Sequence, residues 1–133
     1  MEPFERQLRA EVSKLGIPGI VWTQYTPYYN DGSECVFGVN EPNVIVGDPD
    51  NVTDMYDEYN TLELYGDFKH ISKYYGERLK SANIDAAKYT EIKKLTSWFC
   101  SSAAEDLLRE MYGDHKMIKV TPDRVVVDEY EHD

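Results

Sequence analysis

The sequence predicts an α+β fold: a small, mostly antiparallel sheet built from an N-terminal and a C-terminal hairpin and packed with three to four helices. Three observations lead there. Apolar residues recur at three- and four-residue spacing in several separate stretches, as they do on one side of a helix. Short β-branched and aromatic runs bounded by turn residues lie near both ends, as expected of hairpin strands. The 133 residues, 41% hydrophobic and 29% charged, are enough to bury a core in one domain, residues 1–133, without disulfide or metal support.

Pro3 suits a first helical position, and Phe4, Leu8, Val12 and Leu15 form one stripe that Gly16 can close. The run Ile20 to Thr26 reads as a strand, and Asn30-Asp31-Gly32-Ser33 as a tight turn. Glu34 to Val39 then returns with Cys35, Phe37 and Val39 on one side. Pro42-Asn43 turns the chain into a short third strand, Val44-Ile45-Val46. From Gly47 to about Asn60 the chain is acidic, carries tyrosines and lacks a core-forming period, so a loop is expected. One helix carries Phe68, Ile71, Tyr75 and Leu79, and another, from about Ala86 to Cys100, carries Tyr89, Ile92, Leu95 and Phe99. Ser102-Ala103-Ala104-Glu105 has the form of a capping box and starts a helix that buries Leu107, Leu108 and Met111 before Gly113. Met117 to Thr121, a Pro122-Asp123 turn and Arg124 to Glu129 make the final hairpin, which leads into an acidic tail.

Charge is the most informative property of the chain. The formal net charge is −11, which opposes direct binding to nucleic acid or an anionic membrane. No Lys or Arg lies between Lys14 and Lys69, while ten acids do, from Asp31 to Asp67. Segregation on this scale suggests a surface that meets something positive, with solubility or salt adaptation as the alternative. No apolar run reaches membrane-spanning length, and the first residues have neither a basic region nor an apolar one resembling a secretion signal, so a cytoplasmic location is expected. Cys35 and Cys100 match no metal or redox spacing and read as reduced, partly buried thiols.

Two stretches are candidate contact surfaces. The first hairpin concentrates Trp22, Gln24, Tyr25, Tyr28 and Tyr29 before Asp31; aromatic residues anchor interfaces, although Trp22 and Phe37 equally suit a core. The second stretch holds Asp48, Asp50, Asp54, Tyr56, Asp57, Glu58 and Tyr59. Its spaced aspartates suggest a calcium loop, but position six from Asp48 is Thr53 rather than Gly and position twelve is Tyr59 rather than Glu. An acidic, aromatic docking surface fits better, its carboxylates imitating phosphates in a basic groove. His70, His115 and His132 show no metal spacing, and neither a catalytic motif nor a cofactor-binding loop is present, so no catalytic residue, metal or cofactor is expected.

The stretch Trp22-Thr23-Gln24-Tyr25-Thr26-Pro27-Tyr28-Tyr29-Asn30-Asp31-Gly32, continuing to Cys35-Val36-Phe37, resembles a motif of small tailed-bacteriophage proteins of uncharacterised activity. Gly113-Asp114-His115 and the Val-rich end of the chain are similar to the end of the same proteins, and together these regions cover about a quarter of the sequence. The resemblance implies a phage origin and an intracellular setting, and it carries no site residues. The function expected is inhibition of a host nucleic-acid-handling or defence protein, in the manner of anti-CRISPR or anti-restriction proteins, by occupying a basic surface. Alternatives are sequestration of a nucleotide between Trp22, Tyr25 and Tyr28, a metalloenzyme built from scattered acids and histidines, or a self-assembling phage component such as a homodimer.

Overall fold

A computed structural model describes residues 3–26 and 36–130. The strands are β1 (Gly19–Tyr25), β2 (Gly38–Val39), β3 (Asn43–Ile45), β4 (Thr61–Leu62), β5 (Lys116–Val120) and β6 (Val125–Glu129). The helices are α1 (Pro3–Leu15), α2 (Phe68–Ser81), α3 (Ala86–Ser97) and α4 (Ser102–Tyr112), with 3-10 turns at Pro49–Asn51 and Trp98–Cys100. The strands form one antiparallel sheet in the order β4-β3-β1-β5-β6, with β2 also paired to β1. The α+β expectation therefore holds, with four helices among the described residues.

β1 is the centre of the sheet, flanked by β5 on one side and by β3 and β2 in succession on the other. Its side chains alternate between two environments, as the two-residue period of a strand requires. Ile20, Trp22, Val44, Leu62, Ile118 and Val120 face the helices, and their core includes Leu8 and Val12 of α1, Ile71 and Leu79 of α2, Ile92 of α3 and Leu108 of α4. Val21, Ile45 and Met117 face the opposite way and join Val52 and Met55 in a second cluster. Trp22 and Phe37 are buried, so the core reading of those two rings applies.

Helix ends follow local chemistry. Asp67 and Asp85 cap α2 and α3 by accepting from the backbone N–H groups of His70 and Lys88. Gly16 and Gly113 close α1 and α4 with φ of 68° and 78°, a region where a Cβ is strained. The expected capping box is corrected: Ser101, not Ser102, is the cap, and its hydroxyl accepts from Ala104 N–H at 3.1 Å. The preceding 3-10 turn leaves Ser101 extended, which moves Glu105 one position past the reciprocal site. In α4, Ala104 and Leu108 are buried, whereas Leu107 and Met111 lie at the rim. The pair Thr61–Leu62 forms a strand that the sequence did not announce. The turn at residues 30–33, Cys35 and the end of the acidic tail lie outside the described residues.

The fully buried Gln24 ties β1 to the C-terminal end of α4. Its Oε1 accepts from the Trp22 indole N–H at 3.0 Å, and its Nε2 donates to the carbonyls of Leu108 and Gly113, both at 2.9 Å. Buried polar groups of this kind lose the full desolvation energy of each abandoned partner when one member is removed. Gln24→Leu, which retains bulk but no polar atom, is expected to destabilise the fold by about 1–3 kcal/mol. Chemical denaturation should show this as a lower midpoint at unchanged slope.

Candidate functional site

The acidic segment 47–60 is a strap across the face of the sheet opposite the helices. The sheet exposes Val21, Ile45 and Met117 on that side, and Val52 and Met55 close over them, buried like core residues. The expected loop is present, and two of its residues join the core although no period announces them. Two apolar residues three positions apart are too few to register as a period, yet they suffice to anchor one crossing.

Polar side chains of the same face complete the attachment. Lys119, only 7% exposed, donates through Nζ to the carbonyls of Pro49 at 2.7 Å and Val52 at 3.1 Å. Asn43 Nδ2 donates to Met55 O at 2.7 Å, and the Thr61 hydroxyl reaches the same carbonyl at 3.1 Å. The Thr23 hydroxyl lies 3.2 Å from Met55 Sδ and accepts from Asn40 Nδ2. Asn43, Thr61, Thr23 and Lys119 are all buried, which a strand position tolerates only where partners are supplied. Here the strap's backbone supplies most of them.

Within the strap the aspartates shape turns. Asp48 Oδ1 accepts from Asp50 N–H, Asp54 Oδ1 from Tyr56 N–H, and Asp57 Oδ1 from Tyr59 and Asn60 N–H. Asp57 Oδ2 accepts from Asn60 Nδ2 at 3.0 Å. These bonds, the Asn60 side chain first, hold the Asp57 carboxyl below its ordinary range. Asp50 pairs with Arg124. Asp48, Asp54, Glu58 and Glu63 are exposed and make no ion pair among the described residues. Tyr56 and Tyr59 are exposed at 55% and 84%.

The expected site residues therefore divide. Asp48, Asp54, Tyr56, Glu58 and Tyr59 share an outward surface, while Asp50 and Asp57 are engaged within the protein. Tyr28, Tyr29 and Asp31 lie outside the described residues. Several contributors come from distant sequence. The rings of Tyr25 and Tyr130 lie 5.7 Å apart, and Tyr130 packs on the Val52–Met55 cluster. Burial, then Glu63, Tyr130, Tyr25 and Asp54, raise the Tyr56 phenol. A cleft of about 110 Å³ beside the strap brings Tyr56, Glu58 and Glu63 to Tyr75 and Arg78. Arg78 Nη2 donates to Thr61 O at 2.7 Å, and its guanidinium lies 6.0 Å from the Tyr75 ring centre. No sequence signal joined these residues to the strap.

Two other expectations, the nucleotide sandwich and the partly buried Cys100, are revised. Trp22 points to the helices and Tyr25 to the strap side, so they cannot sandwich a nucleotide. Cys100 is exposed rather than partly buried; its Sγ donates to Glu41 at 3.5 Å, and local desolvation followed by the Glu41 charge pushes the thiol upward, away from nucleophilic use. Among the described residues, no group of three or more His, Cys, Asp or Glu side chains could hold a metal ion. No helix among them is long and apolar enough to cross a membrane.

Lys119→Met keeps the stem but leaves two carbonyls without their donor. It is expected to destabilise the protein by about 1–3 kcal/mol and to speed amide exchange selectively in residues 49–57. For Asp57, the folded carboxyl titrates lower than the unfolded one. Its contacts thus favour folding above the ordinary carboxylate range and lose that contribution as pH falls through the folded value. Asn60→Ala should raise the Asp57 titration midpoint, read by NMR of its side-chain carboxyl, and narrow this acid-side dependence. No protein-family model, curated protein or solved structure matches the chain.

Proposed function

We propose that the chain is a binding protein that inhibits a nucleic-acid-handling or defence protein by occupying its basic surface. The resemblance to small phage proteins points to a bacterial host as the source of that partner and to the host cytoplasm as the setting. The observation that carries this reading is the strap: a 14-residue segment without Lys or Arg, pinned at several points, whose outward groups are carboxylates and tyrosines. A fixed array has less conformational entropy to lose on association than a free acidic loop of the same composition. Its field also steers a positive partner toward it from a distance comparable to the Debye length, about 8 Å at physiological salt.

Asp48 and Asp54 each use Oδ1 to hold a turn. The second oxygen of each, with the exposed Glu58, can accept from Lys or Arg as a phosphate oxygen does. Tyrosines beside them supply contact area at low entropic cost. A direct nucleic-acid partner does not suit this surface, because the charges are alike.

The test compares the protein with a variant carrying Asp48→Asn, Asp54→Asn and Glu58→Gln. Asparagine keeps the turn-holding oxygen, so the strap remains formed. Both proteins are immobilised, bacterial lysate is passed over them, and retained nucleic-acid-binding proteins are identified and titrated across salt. The expected outcome is a partner whose affinity falls as salt rises and is roughly tenfold weaker for the variant, about 1.4 kcal/mol. Equal binding by the two proteins, or an affinity indifferent to salt, would exclude phosphate imitation.

A further inference from the structure

β6 is an outer strand of the sheet, with β5 on one side and no strand on the other among the described residues. Its pairing with β5 runs unbroken from Val125 to Glu129. Hydrogen-bonded rungs of an antiparallel ladder alternate with non-bonded ones. Thr121 N–H donates to Arg124 O and Tyr130 N–H to His115 O, so the even-numbered residues of β6 are the ones bonded to β5. The N–H and C=O groups of Val125 and Val127 therefore point outward. Outer strands are commonly blunted by lysine, proline or a bulge, and Val125–Glu129 has none of these. Val127 is 44% exposed although it lies opposite the core residue Ile118. The other outer strand, β4, is only two residues long.

We propose that β6 pairs with β6 of a second copy of this chain, antiparallel and centred on Val126. Two like strands related by a twofold axis must have one residue facing itself, because neighbouring rungs differ in kind and the axis cannot exchange them. With Val126 at the centre, Val125 faces Val127 of the copy and Arg124 faces Asp128 of the copy, each contact occurring twice. Centring on Val127 would set Val126 against Asp128 and Val125 against Glu129, and centring on Asp128 would oppose like charges. Apolar and opposite-charge pairs across strands stabilise a ladder, so the register at Val126 is the self-complementary one. Asp123, which would come opposite Glu129, belongs to the turn before β6, beyond the paired segment. Asp128 has no ion pair among the described residues, and Arg124, paired with Asp50, retains further guanidinium donors. Glu129 is already matched by Lys116. Repulsion between two chains of net charge −11 is screened beyond about 8 Å at physiological salt. A twofold axis normal to the sheet keeps both straps on the same side, so the dimer displays two acidic surfaces in one direction. This pairing is independent of the partner proposed above.

The test measures mass by sedimentation at physiological salt, from about 1 µM to about 1 mM protein, with amide exchange followed at both ends of that range. A small strand-to-strand interface implies a weak dimer, with Kd on the order of 10–100 µM. Mass should rise from one chain toward two. Exchange at Val125 and Val127 should slow with concentration, while Val126 and Asp128, already bonded to β5, change little. Val127→Pro removes an outward N–H and no bond to β5, so the fold persists and the dimer should weaken by about tenfold or more. Asp128→Lys opposes a cation to Arg124 of the copy and should weaken the dimer about tenfold. Thermal melts confirm that the variants fold, and should Val127→Pro fail to, Asp128→Lys carries the test. A single-chain mass at every concentration, a dimer that leaves Val125 and Val127 exchanging freely, or one indifferent to Asp128→Lys each overturns the proposal. Slowed exchange at Val125 and Val127 that appears only with a captured host protein assigns this edge to a foreign strand and overturns it as well.

Discussion

A sheet covered by helices on one face leaves its other face, part apolar and part polar, to be protected, and here a strap crosses it. Everything distinctive about the protein follows from how that strap is attached. The Lys119 ammonium sits beneath it and binds two of its carbonyls, while Val52 and Met55 fill the space over Val21, Ile45 and Met117. Hydrophobic closure alone would leave the strap's backbone groups buried without partners. The sheet meets that demand with side chains, which explains why Thr23, Asn43, Thr61 and Lys119 occupy buried strand positions. A buried lysine is ordinarily unfavourable. Beneath an acidic segment that has no cation of its own, it serves both as a hydrogen-bond donor and as a local counter-charge.

The same attachment sets the direction of the strap's own side chains. With the apolar residues and most of the engaged carbonyls turned inward, the carboxylates have only the solvent side available. Asx turns at Asp48, Asp54 and Asp57 then fix the backbone between anchors. Acidity and rigidity are therefore coupled, since the residues that carry the charge also shape the chain that displays it. Arg124 and Arg78, brought in from outside the segment, offset part of the field at Asp50 and Asp57. The undiminished charge lies at Asp48, Asp54, Glu58 and Glu63.

On the helical side, Gln24 plays the role that Lys119 plays on the other. Both are polar side chains of the central strands, β1 and β5, and both bind backbone carbonyls of an element crossing the sheet. The stretch Trp22-Thr23-Gln24-Tyr25 thus serves three purposes by alternation: Trp22 fills the helix-side core, Gln24 ties down α4, and Tyr25 joins the tyrosines at the edge of the strap. A stretch dense in aromatic and amide groups, read along the chain, suggests one surface. Folded, it is divided between two sides of a sheet.

How far the fold was legible depended on the range of the forces involved. Helix stripes such as Phe4-Leu8-Val12 and closing glycines such as Gly16 and Gly113 are local features, and the sequence by itself determined them, together with the antiparallel hairpin at the C-terminus and the segregation of charge. The cap at Ser101 was misread by one residue because a 3-10 turn, too short to show a period, set its backbone. The strand at Thr61–Leu62 was invisible because its two residues are defined by pairing with Val44 and Ile45 rather than by their own pattern. The convergence of Tyr25, Tyr56, Tyr130, Asp54 and Glu63 was likewise decided only by tertiary structure, since strand alternation and a strap crossing join positions more than a hundred residues apart in sequence. Charge can be counted along a chain, but which charges remain available to a partner depends on what folding brings beside them.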